Sequence, residues 1–167
     1  TGYRKMAERI MEVVGREMKK DKDIKLPEGR TKGIVLMGGA YEDDKAVQKH
    51  AQALTQQLAP LGMGQAEAEY LVANYGKQTD TIIEHFLKQE NTTPLDLLRS
   101  ELSFALHYEM IHTALDFFNR RTGRLYFDIE SIRKHKDPIL QEMANVLQWS
   151  PERLQQEAGA LQIALHE

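Results

Sequence analysis

Six histidines are the residues of this chain best suited to bind a metal, and they are densest between His107 and His112. A zinc-protease site needs two histidines four residues apart on one helical face. His107 and His112 are five apart, which on a helix would place them about 140° apart. Glu109 and His112 have the Glu-x-x-His spacing of di-iron bundles. Such bundles use a second copy and two further carboxylates, and the sequence holds no second copy. We therefore predict no metal site.

Nucleophilic and phosphate-binding chemistry lacks its usual motifs here. The chain has no cysteine, which excludes disulfides, thiolate nucleophiles and cysteine-ligated zinc or iron–sulfur sites. The pairs Gly38-Gly39 and Gly62-x-Gly64 lack the strand, helix and lysine that frame a phosphate-binding loop. No nucleophile stands beside a recognisable base. We therefore predict no catalytic residue within these 167 residues.

Charged and aromatic residues are interleaved with unusual density between Glu101 and Asp128. The arginines of this stretch could bind an anion, because guanidinium groups match carboxylate and phosphate geometry. Alternatively, they tie helices together and stabilise a helix end before Gly123. Acids and bases are matched in number, which favours the structural role. We predict structural ion pairs among the following residues: Glu101, Glu109, Asp116, Arg120 and Arg121.

Composition excludes several classes of protein. The 22 basic and 25 acidic residues give a net charge of -3, whereas nucleic-acid-binding domains are usually basic. Apolar residues make up 41% of the chain, an ordinary globular fraction. No run approaches the roughly 20 apolar residues of a membrane-spanning helix. The polar start, from Thr1 to Lys5, does not resemble a signal peptide. Together with the missing initiator methionine, it suggests a fragment of a longer protein.

The elements that position these residues are predicted to be helices. Apolar residues recur at helical spacing and almost never alternate as in a strand. Thr93-Pro94, Asp137-Pro138 and Ser150-Pro151 each place a capping side chain before a proline, as at helix starts. We predict helices at Tyr3–Lys20, Asp43–Leu58, Gln65–Asn74, Thr79–Gln89, Leu95–His112, Ala114–Arg121 and Ile129–His135, and two more that begin at Asp137-Pro138 and Ser150-Pro151. Gly33–Gly39 is the one candidate strand, at best an extended edge segment. The prediction is an all-α domain of about eight or nine helices, preceded by an N-terminal helix and a loop with a short extended segment.

Three parts of the sequence resemble one family, the FAD-dependent glycerol-3-phosphate dehydrogenases. Thr1-Gly2-Tyr3-Arg4-Lys5-Met6-Ala7 is similar to the T-x-Y-R-x-x-A segment near the end of their flavin domain. Tyr70–Gly76 with the following Gln78-Thr79-Asp80 resembles a turn in their C-terminal helical domain. Glu101–Met110, then Thr113, Asp116-Phe117 and Arg120-Arg121-Thr122, is similar to the core of that domain. The region from Lys19 to Lys32 does not align.

The resemblance implies an oxidoreductase that passes a hydride from C2 of sn-glycerol 3-phosphate to N5 of FAD, giving dihydroxyacetone phosphate. Electrons then reach membrane quinone, or oxygen in the similar, peroxide-forming α-glycerophosphate oxidases; the sequence leaves both open. A third alternative, of another class, is a free-standing helical interaction module. The family's glycine loop, substrate arginines and catalytic histidine lie upstream, so the resemblance implies FAD in the full enzyme, and none in this fragment, which we expect to be inactive alone.

The same resemblance divides the chain. Residues 1–41 would be the end of the flavin domain with the first helix and connecting loop, and 42–167 the C-terminal helical domain. Thr1 and Gly2 match positions beside the flavin, where helix-start N–H groups could face it. The expected partners are the upstream FAD and substrate domains of the same bacterial polypeptide, without nucleic acid or a transmembrane segment. The expected location is the cytoplasm, with peripheral attachment to the inner face of the cell membrane as the alternative.

Overall fold

The computed structural model describes residues 2–24, 27 and 33–166, and over these residues it is all-α, without a strand. The helices are α1 (Gly2–Lys22), α2 (Asp44–Leu58), α3 (Gln65–Tyr75), α4 (Thr79–Phe86), α5 (Pro94–Tyr108), α6 (Arg124–Phe127), α7 (Ile129–Leu147) and α8 (Pro151–Ala164). A π-helix, Asp116–Arg121, precedes α6, and short 3₁₀ turns follow α2 and α3. The predicted fold class is confirmed.

Two of the three predicted proline helix starts are confirmed. Thr93 caps α5: its hydroxyl accepts from the Asp96 N–H at 3.3 Å, and the Asp96 carboxylate accepts from the Thr93 N–H at 3.1 Å. This is a capping box with aspartate in the place of glutamate. Ser150 caps α8 by accepting from the Arg153 N–H at 3.2 Å.

The third predicted start, at Asp137-Pro138, is wrong. Pro138 lies inside α7, which runs without a break from Ile129 to Leu147. Proline removes one helical hydrogen bond, which favours a break. The apolar residues on both sides of it form one buried face, and packing that face keeps the helix continuous. These residues are Ile132, Ile139, Leu140, Met143 and Ala144.

Predicted boundaries fail at the ends of two helices. α5 ends at Tyr108 instead of His112, and Met110 takes a left-handed backbone with φ of 56°. Glu109 and His112 are therefore not on one helix, and the helical geometry assumed for that pair does not exist. α4 ends at Phe86, three residues before the predicted Gln89.

Residues divide into two compact units, Thr1–Leu36 and Met37–Glu167. In the first unit, α1 is amphipathic but buries none of its residues. The predicted extended segment is not a strand: Ile34–Leu36 have no regular structure and are exposed.

The second unit holds two clusters of buried apolar side chains. One gathers α5, the π-helix, α6, α7 and α8 around Phe117, Phe118 and Met143. The other gathers α2, α3, α4 and α5 around Leu58, Leu71 and Phe86. Helix α5 belongs to both, because its buried side chains point in two directions.

Two glycines let the start of the second unit lie against the end of α3. The Lys77 N–H donates to the Gly38 carbonyl at 2.9 Å. Gly38 and Gly76 both have positive φ, 83° and 56°. A Cβ on Gly76 would overlap the Gly38 oxygen, so only glycine fits there. The backbone approach thus explains Gly76 and also Gly38, which the sequence could not assign to a phosphate loop.

Candidate functional site: a buried carboxylate–arginine network

Glu101 of α5 is fully buried and is the centre of an ionic network in the second unit. One carboxylate oxygen accepts from the Tyr75 hydroxyl at 3.0 Å, and the other from Arg124 Nη2 at 2.5 Å. A buried carboxylate is costly unless it is paired and hydrogen-bonded. Both oxygens of Glu101 have such donors.

Arg124 is the cation of the network, and 12% of its side chain is exposed. Its Nη1 donates to the Asp128 carboxylate at 2.6 Å, and its guanidinium lies 4.9 Å from the Tyr70 ring centroid. Burial lowers the pKa of Arg124, but the charge of Glu101 outweighs this, and the net pKa is raised. Arg124 is therefore permanently charged.

The two tyrosines act as neutral donors. Tyr75 donates to Glu101, and Tyr70 donates to the Thr122 carbonyl at 3.2 Å. Burial, followed by the charge of Glu101, raises the pKa of both hydroxyls far above their usual value. Neither can supply a phenolate at neutral pH, so the network can donate hydrogen bonds but cannot act as a base through these groups.

Gly123 explains how the chain brings Arg124 into the interior. Thr122 closes the π-helix, its hydroxyl donating to the Phe117 carbonyl at 2.9 Å. Gly123 then adopts a left-handed backbone with φ of 63° and reverses the chain. The single-turn helix α6 begins immediately with Arg124, and Asp128 ends it and caps α7 by accepting from the Ser131 N–H at 3.2 Å.

Glu109 lies beside the network but outside its hydrogen bonds. Its Oε2 atom is buried without a hydrogen-bond partner among the described residues. Burial raises the pKa of Glu109; the nearby Arg121 charge opposes this and the Glu101 charge adds to it. Arg121 Nη2 donates to the Glu109 main-chain carbonyl at 2.8 Å.

Asp116, the first residue of the π-helix, forms an ion pair with Arg120 near its end. The Asp116 carboxylate also accepts from the N–H groups of His112, at 3.1 Å, and Thr113, at 2.9 Å. Burial raises the pKa of Asp116, but these hydrogen bonds outweigh it and hold the pKa below its usual value. Asp116 is therefore a local cap, with 71% of the Arg120 side chain exposed beside it.

The structure distributes the predicted ion-pair residues over three sites. Glu101 pairs with Arg124, which lay outside our predicted set; Glu109 neighbours Arg121; and Asp116 pairs with Arg120. Sequence reasoning also missed Tyr70, Tyr75 and Asp128. One feature of the sequence indicated Glu101, the centre of the network. It follows Leu97 by four residues and precedes Phe104 by three, so it falls on the apolar face of α5.

Arg124 and Asp128 also line a cleft of about 580 Å³ between α3, α5 and α7. Met63 and Leu97 supply apolar walls, and the remaining ionisable lining mixes both signs: Glu67, Glu130, Arg133, Lys134 and His135. Burial, then the charges of Lys134 and Arg124, lowers the pKa of His135. Because acids match bases, the cleft offers no strong field for an anion.

A second polar cluster lies beside a smaller cleft of about 290 Å³. The Tyr41 hydroxyl is 2.5 Å from His50 Nδ1, and His50 Nε2 is 2.9 Å from the Asp80 carboxylate. This chain of contacts fastens Tyr41, which precedes α2, to α4.

Two further residues singled out by the sequence lie at the chain start. Thr1 is outside the described residues, and Gly2 is the exposed first residue of α1. Within the described part of the chain, no group of three or more histidine and carboxylate side chains could hold a metal ion. No helix there is long and apolar enough to span a membrane.

The fold and its network define an all-helical domain organised around a buried ion pair. Residues 29–154 match the model of one family, the C-terminal domain of alpha-glycerophosphate oxidase, and the chain belongs to that family. The resemblance drawn from the sequence is thereby confirmed.

Individual relatives agree with this family assignment. The whole chain is 31% identical to part of an aerobic glycerol-3-phosphate dehydrogenase of Bacillus subtilis (strain 168), and 28% identical to part of one from Staphylococcus aureus (strain MRSA252). It spans 31% and 30% of their lengths. The X-ray structure of the glycerol-3-phosphate dehydrogenase from Bacillus halodurans complexed with FAD matches 98% of this chain, with a TM-score of 0.79 and 29% identity, over 33% of its own length.

Proposed function

We propose that this chain is the C-terminal structural domain of an FAD-dependent glycerol-3-phosphate dehydrogenase. The complete enzyme would oxidise sn-glycerol 3-phosphate to dihydroxyacetone phosphate and pass the electrons to quinone. One observation carries the proposal: all of the chain aligns with about a third of an aerobic glycerol-3-phosphate dehydrogenase. The remaining two thirds of such a protein would hold the cofactor-binding fold.

The helical domain would serve as a rigid cap on the catalytic domains. Bound FAD would supply the redox chemistry, taking a hydride from the substrate at the flavin ring. The residues of this chain would position and stabilise the catalytic domains. Glu101, Arg124 and Asp128 tie α5 to α6 and the start of α7 through hydrogen bonds of 2.5 and 2.6 Å. A permanently charged arginine and two neutral tyrosines suit a structural centre better than a proton-transfer site.

We place the domain boundary at residues 41 and 42. Residues 1–41 would complete the flavin domain and connect it to the helical domain, 42–167. Helix α1 supports this division, because it is amphipathic yet buries no side chain. An isolated helix of this kind gains most of its stability by packing its apolar stripe on a neighbour. The two clusters of the helical domain draw their buried members from residues 54–165.

Thr1 and Gly2 are the residues we propose to lie beside the flavin. Gly2 begins α1, and a Cβ there would meet nothing within 4 Å, so the backbone can be approached closely. The first N–H groups of a helix have no partner within it and attract electron-rich groups. No acidic residue lies in the first turn. These features fit a backbone contact to the cofactor, whose main binding residues would lie upstream.

The electron acceptor distinguishes two enzymes. Quinone as acceptor places the complete protein in the cytoplasm with peripheral attachment to the inner face of the membrane, where its acceptor resides. An oxygen-using oxidase of the same family needs no such attachment. The choice requires a measurement on the complete protein.

An antibody raised against this chain would recover the native polypeptide from its source cells for intact-mass and visible-absorption measurements. The proposal predicts a mass roughly three times 19.2 kDa and a flavin spectrum bleached by glycerol 3-phosphate. Reduction of a quinone analogue without peroxide identifies the dehydrogenase, and peroxide formation the oxidase. A colourless polypeptide of 19.2 kDa would refute the proposal.

A further inference from the structure

A segment shortly before α2 contacts the turn between α3 and α4. We refer to this segment, Gly38–Tyr41, as the strap. At its first residue, the Gly38 carbonyl accepts a hydrogen bond from the Lys77 N–H at 2.9 Å. At its last residue, the centroid of the Tyr41 ring lies 4.9 Å from the Lys77 ammonium, within the range of a cation–π contact. Both ends of the strap therefore contact one residue of the turn.

Tyr41, His50 and Asp80 form a chain of contacts that we call the clasp. The Tyr41 hydroxyl is 2.5 Å from His50 Nδ1, and His50 Nε2 is 2.9 Å from the Asp80 carboxylate. An ionised carboxylate only accepts, so the neutral imidazole carries its hydrogen on Nε2 and accepts from the hydroxyl at Nδ1. Burial, then the charge of Asp80, raises the pKa of Tyr41, so its hydroxyl keeps the proton that it donates. The clasp thus connects the strap to α4 through a histidine of α2.

The strap is held by polar contacts and has little buried surface. None of its four residues is buried, and Gly39 and Ala40 are exposed. Tyr41 is partly buried against the apolar cluster of α2, α3 and α4, whereas Leu58 and Leu71 of that cluster are fully buried. Segments with few buried apolar contacts open at a lower free energy than the core of their domain. We therefore expect the strap to open more readily than the helices that it contacts.

We propose that the strap opens and closes as a unit while the helical domain stays folded, and that the clasp holds it closed. The closed strap fixes the place at which the chain enters the domain, against the turn between α3 and α4. The open strap leaves that turn, while Asp43 still caps α2 by accepting from the Ala46 N–H at 2.8 Å. Every one of these contacts lies within the second unit, so the strap is independent of what the complete protein catalyses.

Native-state hydrogen exchange of the 167-residue chain tests this proposal. The Lys77 amide reports on the strap, because it donates to the Gly38 carbonyl, and the Leu71 amide inside α3 reports on the helices. The free energy of exchange should be lower at Lys77 and should fall less steeply with urea, because opening the strap exposes little surface. A urea slope at Lys77 equal to that at Leu71 would overturn the proposal, since the strap would then open only when the domain unfolds.

Phe86→Leu separates opening of the strap from unfolding of the domain. Phe86 is fully buried in the same cluster as Leu71, so a smaller side chain there destabilises the folded helices. Exchange should become about tenfold faster at Leu71 and stay unchanged at Lys77, because opening of the strap leaves that cluster folded. Equal acceleration at both amides would contradict a strap that opens by itself.

Tyr41→Phe tests the clasp, because it removes the hydroxyl and keeps the ring that the Lys77 ammonium contacts. Without that hydrogen bond, exchange at the Lys77 amide should become about tenfold faster. Tyr126→Phe, at a residue that is 73% exposed, is the matched control and should leave the rate unchanged. An unchanged rate in Tyr41→Phe, or the same acceleration in Tyr126→Phe, would show that the clasp does not hold the strap closed.

Discussion

At the scale of single residues, the buried ion pair between Glu101 and Arg124 is the interaction of the network whose loss should lower the free energy of unfolding the most. Two charges have been removed from water, and each depends on the other to offset its desolvation. Removing one partner leaves the other buried and uncompensated. Exposed ion pairs of the same domain, such as Glu130 with Arg133, lack this dependence, since water replaces the lost partner.

Glu101→Gln is therefore expected to lower the free energy of unfolding by about 3 kcal/mol, because Arg124 loses its closest counter-charge. Urea unfolding followed by circular dichroism measures the change. Glu130→Gln, at an exposed ion pair, is the matched control and should change stability by less than about 0.5 kcal/mol. Equal effects of the two substitutions would show that the buried ion pair contributes no more to the free energy of unfolding than an exposed one.

Glu109 gives a prediction of the opposite sign. Burial raises its pKa above the ordinary 4.5, so the folded state holds this proton more tightly than the unfolded chain does. As pH rises from the unfolded pKa through the raised folded pKa, the folded state binds more protons and loses stability. Glu109→Gln removes this loss and should raise the melting temperature relative to the unmodified protein at pH 7.

The same comparison at pH 4 is the internal control, because the carboxyl group is then mostly protonated in both states. The gain in melting temperature should shrink there. A gain that is equal at both pH values would assign the effect to packing, and a loss at pH 7 would show that the Arg121 charge dominates.

Part of this site could be predicted from the sequence. Glu101 occupies an apolar-face position of α5, and that spacing alone marks it as buried and in need of a cation. Arg124 could not be identified, because its inward direction depends on the chain reversal at Gly123. Tyr75 is 26 residues from Glu101, and no local rule relates positions that far apart.

At the scale of elements, helix starts were predictable and helix ends were less so. The capping residues Thr93 and Ser150 act within four residues of themselves, so the sequence displays the whole interaction. The helix start predicted at Pro138 was wrong because packing along α7 outweighs one missing hydrogen bond. At the end of α5, Arg121 from a different element donates to the Glu109 carbonyl, a contact that local sequence rules do not display.

The backbone approach between Gly38 and Gly76 leads to an element-scale prediction. Gly76→Ala should destabilise the protein by several kcal/mol, because its Cβ would overlap the Gly38 oxygen and φ is positive. Gly159→Ala, in α8 with open space around it, is the matched control. It should stabilise by about 0.5–1 kcal/mol, since alanine favours a helix interior. Thermal unfolding of both variants measures these changes in stability. If Gly76→Ala left the stability unchanged, the 38–41 segment would have to detach readily from the end of α3.

At the scale of the whole molecule, both apolar clusters are formed from residues beyond position 40. A protein shortened to residues 37–167 should therefore keep its cooperative thermal transition, with a melting temperature within about 5 °C of the full 167-residue chain. Calorimetry measures the transition. Loss of cooperativity would show that α1 contributes to the stability of the helical domain, contrary to our proposed division.

Helix α5 supplies buried side chains to both clusters, for example Leu102 to one and Phe104 to the other. Neither cluster can open without uncovering part of this helix, so the two are expected to come apart together. A cellular protease that relies on partly opened substrates would then find few of them. The lifetime of the domain in the cell would be set by complete unfolding, and a single cavity-forming substitution in α5 would shorten it more than one in α2 or α8, each of which packs in a single cluster.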